Sequence, residues 1–401
     1  MAKWKTVQLA DLVNETITGE WGTECKDETM GTKVLRTTNF TNLGIINYDN
    51  VVLRDIPIHK VYKKKLIPND IILEKSGGSD KQPVGRVVYY NSITNDVYLC
   101  NNFTQILRIK HDVAYSRYVF LFLFHLHQTG TTELLQNKTT GIRNLQIKSY
   151  MALAIPLPPL SVQQQIADVL DRASALIEKR KAQMAKLDLL VKSQFIEMFG
   201  DPVTNPMGWE QTTIGDSCHY VKDGPHVSPS YVEDGTGIPF ISTRNLVGST
   251  GIDWSTAKYI SEADYETYAK KCKPENGDIL YTKGGTTGVA RFVDTDIRFA
   301  NWVHVAVLKF GENLNGLFFE NMLNSNYCYH QSQLLTKGIA NKDLVLGSMK
   351  QIQFYIPPLD LQTRFAEFVR QADKSKFEQS LAKLELNYKS LMQKCFRGEI
   401  F

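Results

Sequence analysis

Ile155-Pro156-Leu157-Pro158-Pro159-Leu160-Ser161-Val162-Gln163-Gln164-Gln165-Ile166 is a stretch that the chain states twice. Its echo, Ile356-Pro357-Pro358-Leu359-Asp360-Leu361-Gln362, follows about 200 residues later. In both copies a Pro-Pro-Leu step, which cannot sit inside a helix, runs directly into a long periodic segment, so the step marks a helix start. Self-similarity at a long period sets the architecture before any single element does.

The echo extends outward in both directions. Gly141, Ile142 and Asn144 return as Gly338, Ile339 and Asn341, and Trp4-Lys5 with Leu9-Ala10-Asp11 returns as Trp209-Glu210 with Ile214-Gly215-Asp216. Leu35-Arg36-Thr37-Thr38-Asn39-Phe40 answers Ile241-Ser242-Thr243-Arg244-Asn245-Leu246. Asp70-Ile71-Ile72-Leu73 with Lys75 and Gly77 answers Asp278-Ile279-Leu280-Tyr281 with Lys283 and Gly285, and Asn102-Phe103 answers Asn301-Trp302. A collinear series of this kind implies a tandem duplication in the order globular, helix, globular, helix. The boundaries read as 1–157, 158–201, 202–355 and 356–401.

The first helix is expected to open at Ser161, whose partner Gln164 completes the S-x-x-Q capping-box pattern. Ile166, Leu170, Ala173, Ile177, Arg180, Met184, Leu187, Val191, Gln194 and Met198 then fall at spacings of 4 and 3, a coiled-coil seam with Arg180 and Gln194 as its polar exceptions. Gly200 and Pro202 stop it at Phe199. Thirty-nine such residues would make a rod of roughly 58 Å. In the second copy Asp360 is the expected N-cap; Phe365, Phe368 and Ala372 open the seam, and Phe377, Leu381, Leu384, Tyr388, Leu391 and Cys395 continue it after a phase break near Ser375, where a stutter or distortion is expected. A long helix with one apolar stripe is unstable alone in water, so the two helices are expected to pack as an antiparallel coiled coil; the alternative is that each merely covers its own domain.

The globular segments read as mixed α/β. β-rich runs such as 51–53, 70–73, 85–90, 103–110, 278–281 and 302–310 alternate with turns, and helical stretches are expected near 117–127 and 317–333. The fold class is therefore α/β, two mixed domains in tandem with two long helices. With 401 residues each domain has room for its own core. Six scattered cysteines suggest neither a zinc cluster nor a disulfide framework, no N-terminal apolar stretch suggests export, and no run is long enough for a membrane span, so the cytoplasm is the expected compartment. Net charge divides unevenly, +5 over 1–155, 0 over 156–202, −3 over 203–355 and +2 over 356–401. Only the first globular segment carries a basic footprint.

Catalytic and cofactor signatures are missing. There is no P-loop, and Gly284-Gly285-Thr286-Thr287-Gly288 lacks a Rossmann context; it suits a tight turn or close approach of a phosphate backbone. His125 and His127 lack the i, i+4 spacing of a helical zinc pair. The loops instead offer groups suited to DNA: Arg36, Thr38 and Asn39, with Thr243, Arg244 and Asn245 in the second copy, as base or phosphate contacts. Lys63-Lys64-Lys65, Lys75, Lys81 and Arg86 in the first segment, and Lys270-Lys271, Lys273, Lys283, Thr286 and Arg291 in the second, are candidates for the phosphate backbone. Recurrence at equivalent places singles out Arg36, Asn39, Lys75, Arg244, Asn245 and Lys283, although duplicated residues can also be repeated for folding.

Gly141-Ile142-Arg143-Asn144-Leu145, the stretch from Ile155 to Ile166, and Phe195-Ile196-Glu197-Met198-Phe199-Gly200-Asp201-Pro202 together resemble the specificity subunit of type I restriction-modification systems, with Ile356 to Gln362 and Arg397-Gly398-Glu399 matching its distal region. In the second copy Thr363 and Phe365 replace Gln164 and Ile166. The resemblance spans the chain. It implies two target-recognition domains, each reading one half of an asymmetric bipartite site in double-stranded DNA, and a helix pair that sets their spacing and docks two methyltransferase subunits, with a motor-nuclease subunit as a further partner. S-adenosylmethionine would then belong to the methyltransferase partner, which methylates adenine N6, and this chain would hold no cofactor and no catalytic residue. In keeping with this, both Pro-Pro pairs are followed by Leu, so the [DNS]-P-P-[YFW] signature of amino-methyltransferases is missing. The rival classes are a stand-alone DNA methyltransferase or nuclease with an unrecognised active site, and a coiled-coil adaptor that binds only protein.

Overall fold

The computed structural model describes residues 4–25, 31–79, 82–91, 96–139, 142–233, 235–248, 251–338, 341–372 and 374–401. Lys81, Gly141 and Ile339 lie outside the described residues. The chain forms two compact units, Met1–Lys179 with Leu381–Phe401, and Arg180–Ser380. Each unit thus combines one globular segment with part of each long helix.

In the first unit an antiparallel four-stranded sheet runs in the order Val13–Thr18, Thr104–Ile109, Asp70–Glu74, Val87–Tyr90. A second sheet is ordered Thr23–Glu24, Val52–Asp55, Thr32–Leu35, Tyr98–Cys100, its last pair parallel. A short pair, Thr6–Gln8 with Ala154–Pro156, joins the two ends of the globular segment. The second unit repeats the plan: Cys218–Asp223, Val305–Phe310, Ile279–Thr282, Ala290–Phe292; then Tyr231–Val232, Lys258–Ile260, Ile238–Ile241, Ala300–Asn301; then Glu210–Thr213 with Gln353–Ile356. The copies diverge at one edge. The hairpin Gln136–Thr139/Ile142–Leu145, which pairs with Ser76–Gly78 in unit 1, is reduced in unit 2 to isolated bridges of Asp343 with Gly284 and Lys337.

The hydrogen bonds also correct the sequence alignment of the copies. Leu145 N–H donates to Lys75 O (2.8 Å) as Leu344 N–H donates to Lys283 O (2.7 Å), so Asn144 corresponds to Asp343, two residues beyond Asn341. Asn101 N–H on Leu35 O and Trp302 N–H on Ile241 O match Asn101 with Trp302, and Phe103 with His304. Matching like residues across the copies missed these slips, because backbone pairing follows position and ignores side-chain identity.

The repeated Pro-Pro-Leu-x-x-Gln has a physical explanation in its glutamine. Gln163, fully buried, donates Nε2 to Pro158 O (2.8 Å) and accepts Tyr115 N–H on Oε1 (2.8 Å); Gln362 donates to Pro357 O (2.7 Å) and accepts Asn315 N–H (2.8 Å). Tyr115 and Asn315 are the N-caps of the helices Ser116–Gln128 and Gly316–Leu323. Each glutamine therefore satisfies a helix end that a buried position would otherwise leave unpaired. The expected caps are displaced. The long helices start at Leu160 and Leu359, inside which Ser161 and Asp360 lie in the first turn, because the carbonyls of Pro159 and Pro358 already accept Gln163 N–H and Gln362 N–H. The stretch expected to be helical over 317–333 is two helices, split where Ser325 caps Asn326–Leu335.

The first long helix is continuous over Leu160–Phe199 and stops at Gly200, whose φ is +78°. Within unit 1, Ile166, Leu170 and Ile177 are buried, and Met392, Cys395 and Phe396 share the core of the first two, with Tyr388 and Leu391 against it. Within unit 2, Val191, Phe195 and Phe199 pack with Phe365, Phe365 lying 5.4 and 5.5 Å from the two phenyl rings. Arg180, an exception in the seam, covers Phe377 with its guanidinium 4.8 Å from the ring centre. Within unit 2 the contacts run in opposite directions along the chain, Arg180 meeting Phe377 and Phe195 meeting Phe365, an antiparallel order. Met184, Leu187, Phe377, Leu381 and Leu384 are half-buried. The phase break is a true interruption: Leu359–Gln371 ends, and a new helix runs over Ser375–Arg397.

Candidate nucleic-acid interface

In unit 1, Thr32–Leu35 leads into the short 3-10 turn Thr37–Asn39. Asn39 is 3% exposed. Its Oδ1 accepts Arg36 N–H (2.9 Å) and its Nδ2 donates to Asn47 O (3.0 Å) and Asp49 O (3.1 Å). In unit 2, Asn245 is 1% exposed and does the same work, accepting Ser242 N–H (2.9 Å) and donating to Asp253 O (3.0 Å). Both amides are consumed in pinning the following loop, so neither asparagine has a free edge for a base. These two recurrent residues recur for folding.

Arg86 is likewise structural. Buried, it forks onto Glu74 through Nε (2.7 Å) and Nη2 (2.9 Å) and ties that pair to the turn through Phe40 O and Thr37 O, both at 3.0 Å. Arg291 lies in the wall of a cavity of about 830 Å³ between Glu320 and the helix interruption, its guanidinium 3.6 Å from the Glu320 carboxylate. Burial pushes Glu320 up to about 7 despite that arginine. Lys283 is 5% exposed and neutralised by Asp343 (3.0 Å) and Asp223 (3.6 Å). Among the lysine runs, Lys64 and Lys60 pair with Glu20, Lys271 with Asp223, and Lys273 with Glu275.

Other candidates are half-buried or exposed. Arg36 donates Nη2 to Asn50 O, Arg244 donates Nη2 to Thr256 O (2.7 Å) from an exposed position, and Thr38, Thr286, Lys63, Lys65 and Lys270 are exposed. Thr243 donates to Gly284 O (3.0 Å). Lys75 is half-buried, its ammonium makes no hydrogen bond or ion pair among the described residues, and desolvation lowers its pKa. Its counterpart Lys283 has two carboxylates where unit 1 has Thr18 and Asn144. The Lys75 ammonium is therefore partly desolvated with no carboxylate partner among the described residues, whereas Lys283 has two.

Sequence reasoning missed a cavity of about 340 Å³ in unit 2, formed beside the Ser242–Asn245 turn by Phe240, Trp302, Tyr231, His304, Arg244 and Lys258. Phe240 and Trp302 meet edge-on at 5.7 Å, and Lys258 Nζ sits 4.0 Å over the Tyr231 ring. No carboxylate lines it among the described residues. The glycine-rich loop contributes here, because a Cβ on Gly284 would fall 2.4 Å from the His304 ring. Gly285 follows at φ +73°. Tyr231 and Lys258 lie far from the turn in sequence; only the sheet order, not the sequence pattern, brings them to it.

Among the described residues, no cluster of His, Cys, Asp or Glu is arranged to hold a metal, and no helix is long and apolar enough to cross a membrane. His127 hydrogen-bonds Thr132 (2.8 Å) and His125 packs on Phe396, both with imidazole pKa lowered by burial.

The fold is similar to the S subunit of a type I restriction-modification system from M. genitalium, with a TM-score of 0.58 and 15% identity, covering 98% of this chain and 96% of that one. By sequence the chain is 23% identical to the type I restriction enzyme EcoKI specificity subunit of Escherichia coli K12, over 92% of this chain and 82% of that one. It is 24% identical to the MjaIX specificity subunit of Methanocaldococcus jannaschii, over 62% of this chain; the match spans about 60% of the length of that relative and of the similar MjaX subunit. The family described as the type I restriction modification DNA specificity domain matches twice, over residues 1–187 and again over 206–386, one match for each copy of the repeated fold. The chain belongs to that family.

Proposed function

We propose that this chain is the non-catalytic DNA-recognition subunit of a type I restriction-modification complex, in which each globular domain reads one half of an asymmetric bipartite site in double-stranded DNA. The observation that carries this reading is one scaffold with two different surfaces. The order of the two four-stranded sheets and of the terminal strand pair is repeated, yet Lys75 lacks the two carboxylates of Lys283, and the basic helix Ile58–Lys64 is answered by the acidic helix Glu262–Ala269. A duplicated scaffold with unlike surfaces suits recognition of two unlike sequences. The helices would space the two readers and dock two methyltransferase subunits. S-adenosylmethionine would be bound by those partners, with a motor-nuclease subunit joining in restriction.

The test is methylation mapping in cells carrying this chain with its methyltransferase partner. A bipartite, asymmetric motif methylated at adenine N6 is expected. Exchanging residues 203–355 for the matching segment of a relative should change one half of the motif and leave the other half and the spacing alone. Methyl transfer by the isolated chain, or a change in both halves, would overturn the proposal.

A further inference from the structure

The tandem copies allow folding residues to be separated from others: what both copies keep serves the shared scaffold, and what only one copy has is not required by it. Asn39 and Asn245 fall in the first class. The cavity beside Ser242–Asn245 falls in the second. Strand pairing and hydrogen bonds put Val34 where unit 2 has Phe240, Asn101 where it has Trp302, Val52 where it has Lys258, Glu24 where it has Tyr231, and Phe103 where it has His304. Unit 1 therefore folds in the same way without the aromatic floor, without the lysine, and with a carboxylate in place of the tyrosine. The aromatic, cationic lining of unit 2 needs another reason.

We infer that this cavity of unit 2 receives one nucleobase drawn out of the stack of the bound DNA, held between Trp302 and Tyr231 with Arg244 and Lys258 at its flanking phosphates. The inference rests on the DNA-recognition reading proposed above. Three observations carry it. At about 340 Å³ the cavity lies at the small end of ligand sites, roughly 300–1,000 Å³, which suits one base and its sugar. Its walls are aromatic, and base-on-aromatic stacking is the interaction that compensates a base for leaving its neighbours. Its cations are exposed and no carboxylate lines it among the described residues, so a phosphate meets no like charge.

The experiment uses the full chain assembled with its methyltransferase subunits on duplexes carrying the mapped motif. At each position of the half-site assigned to residues 203–355, the complementary base is replaced to create a mismatch, and in a second series the base is removed. An extruded base leaves a mismatched pair more easily than a matched one, so at one position the mismatch should tighten binding several-fold, and removing that base should weaken it. In Trp302→Ala, binding to the matched duplex should fall roughly 10- to 100-fold, the mismatch gain should vanish, and base removal should cost nothing further. Tyr231→Ala, at an exposed wall, repeats the measurement should Trp302→Ala not fold. A gain at the methylated adenine belongs to the methyltransferase, which must extrude its own target, and should persist in both variants. Mismatches that weaken binding at every other position, or a gain that survives both variants, would overturn the inference while leaving sequence-specific recognition intact. Loss of sequence preference in the unaltered complex would overturn both.

Discussion

Arg86 and Arg244 both stood out in the sequence as cations suited to DNA, and they occupy opposite environments. Arg244 is exposed; Arg86 is locked in a buried fork with Glu74. Removing one partner of such a pair strands the other charge, so Arg86→Met should destabilise unit 1 by about 3–5 kcal/mol, whereas Arg86→Met with Glu74→Met should recover much of that loss. Urea denaturation of the two variants tests this, and a single variant as stable as the parent would return Arg86 to the list of surface cations. Glu320 predicts a pH effect. Burial raises its pKa from 4.5 to about 7, so the folded protein keeps a proton that the unfolded chain has released. The contribution of Glu320 to stability is then fully present below the ordinary carboxylate range and is lost as pH rises from about 4.5 to about 7. Glu320→Gln should flatten that decline, read as a smaller shift of the denaturation midpoint between pH 5 and pH 8. None of these environments was legible in the sequence, because burial and partners come from segments tens of residues apart: Arg86 with Phe40, Arg291 with Glu320.

At the scale of elements the sequence was far more readable. The 4-and-3 spacing picked out buried and half-buried positions along Leu160–Phe199, and the phase break near Ser375 falls at the interruption between Gln371 and Ser375. Such features are local and periodic, and a helix repeats its environment every turn. Phe195 and Phe199 were missed as core because the stripe widens beyond the strict seam where it meets Phe318, 5.9 and 4.9 Å away. The reason for the repeated glutamine was not readable either, since its partners belong to other helices. Gln163→Leu and Gln362→Leu should each cost about 1–3 kcal/mol, the penalty for leaving a buried cap N–H and a proline carbonyl unpaired. Because both clamps hold a cap N–H and a proline carbonyl, losses in both units are expected by hydrogen exchange at Tyr115 and Asn315. A loss confined to one unit would mean that the motif serves two different ends.

For the whole molecule, the duplication was visible in the sequence and the strand order was not, since sheet order depends on contacts between segments whose spacing carries no period. The spacing role of the helices is the property that belongs to the entire chain, and it can be tested without reference to any single contact. Inserting four helix-forming residues near Ala182 lengthens the continuous helix by roughly 6 Å and adds about 40° of rotation beyond a whole turn. Two base pairs of B-DNA span about 6.8 Å. The second helix is already interrupted between Gln371 and Ser375, so it can yield there without breaking a formed turn. If the helices set the distance between half-sites, the unread spacer in the methylated motif should lengthen by one or two base pairs while both half-site sequences stay as they were. If each helix only covers its own globular domain, methylome sequencing of the variant will return the parent spacing, and the helices will have no part in measuring the site.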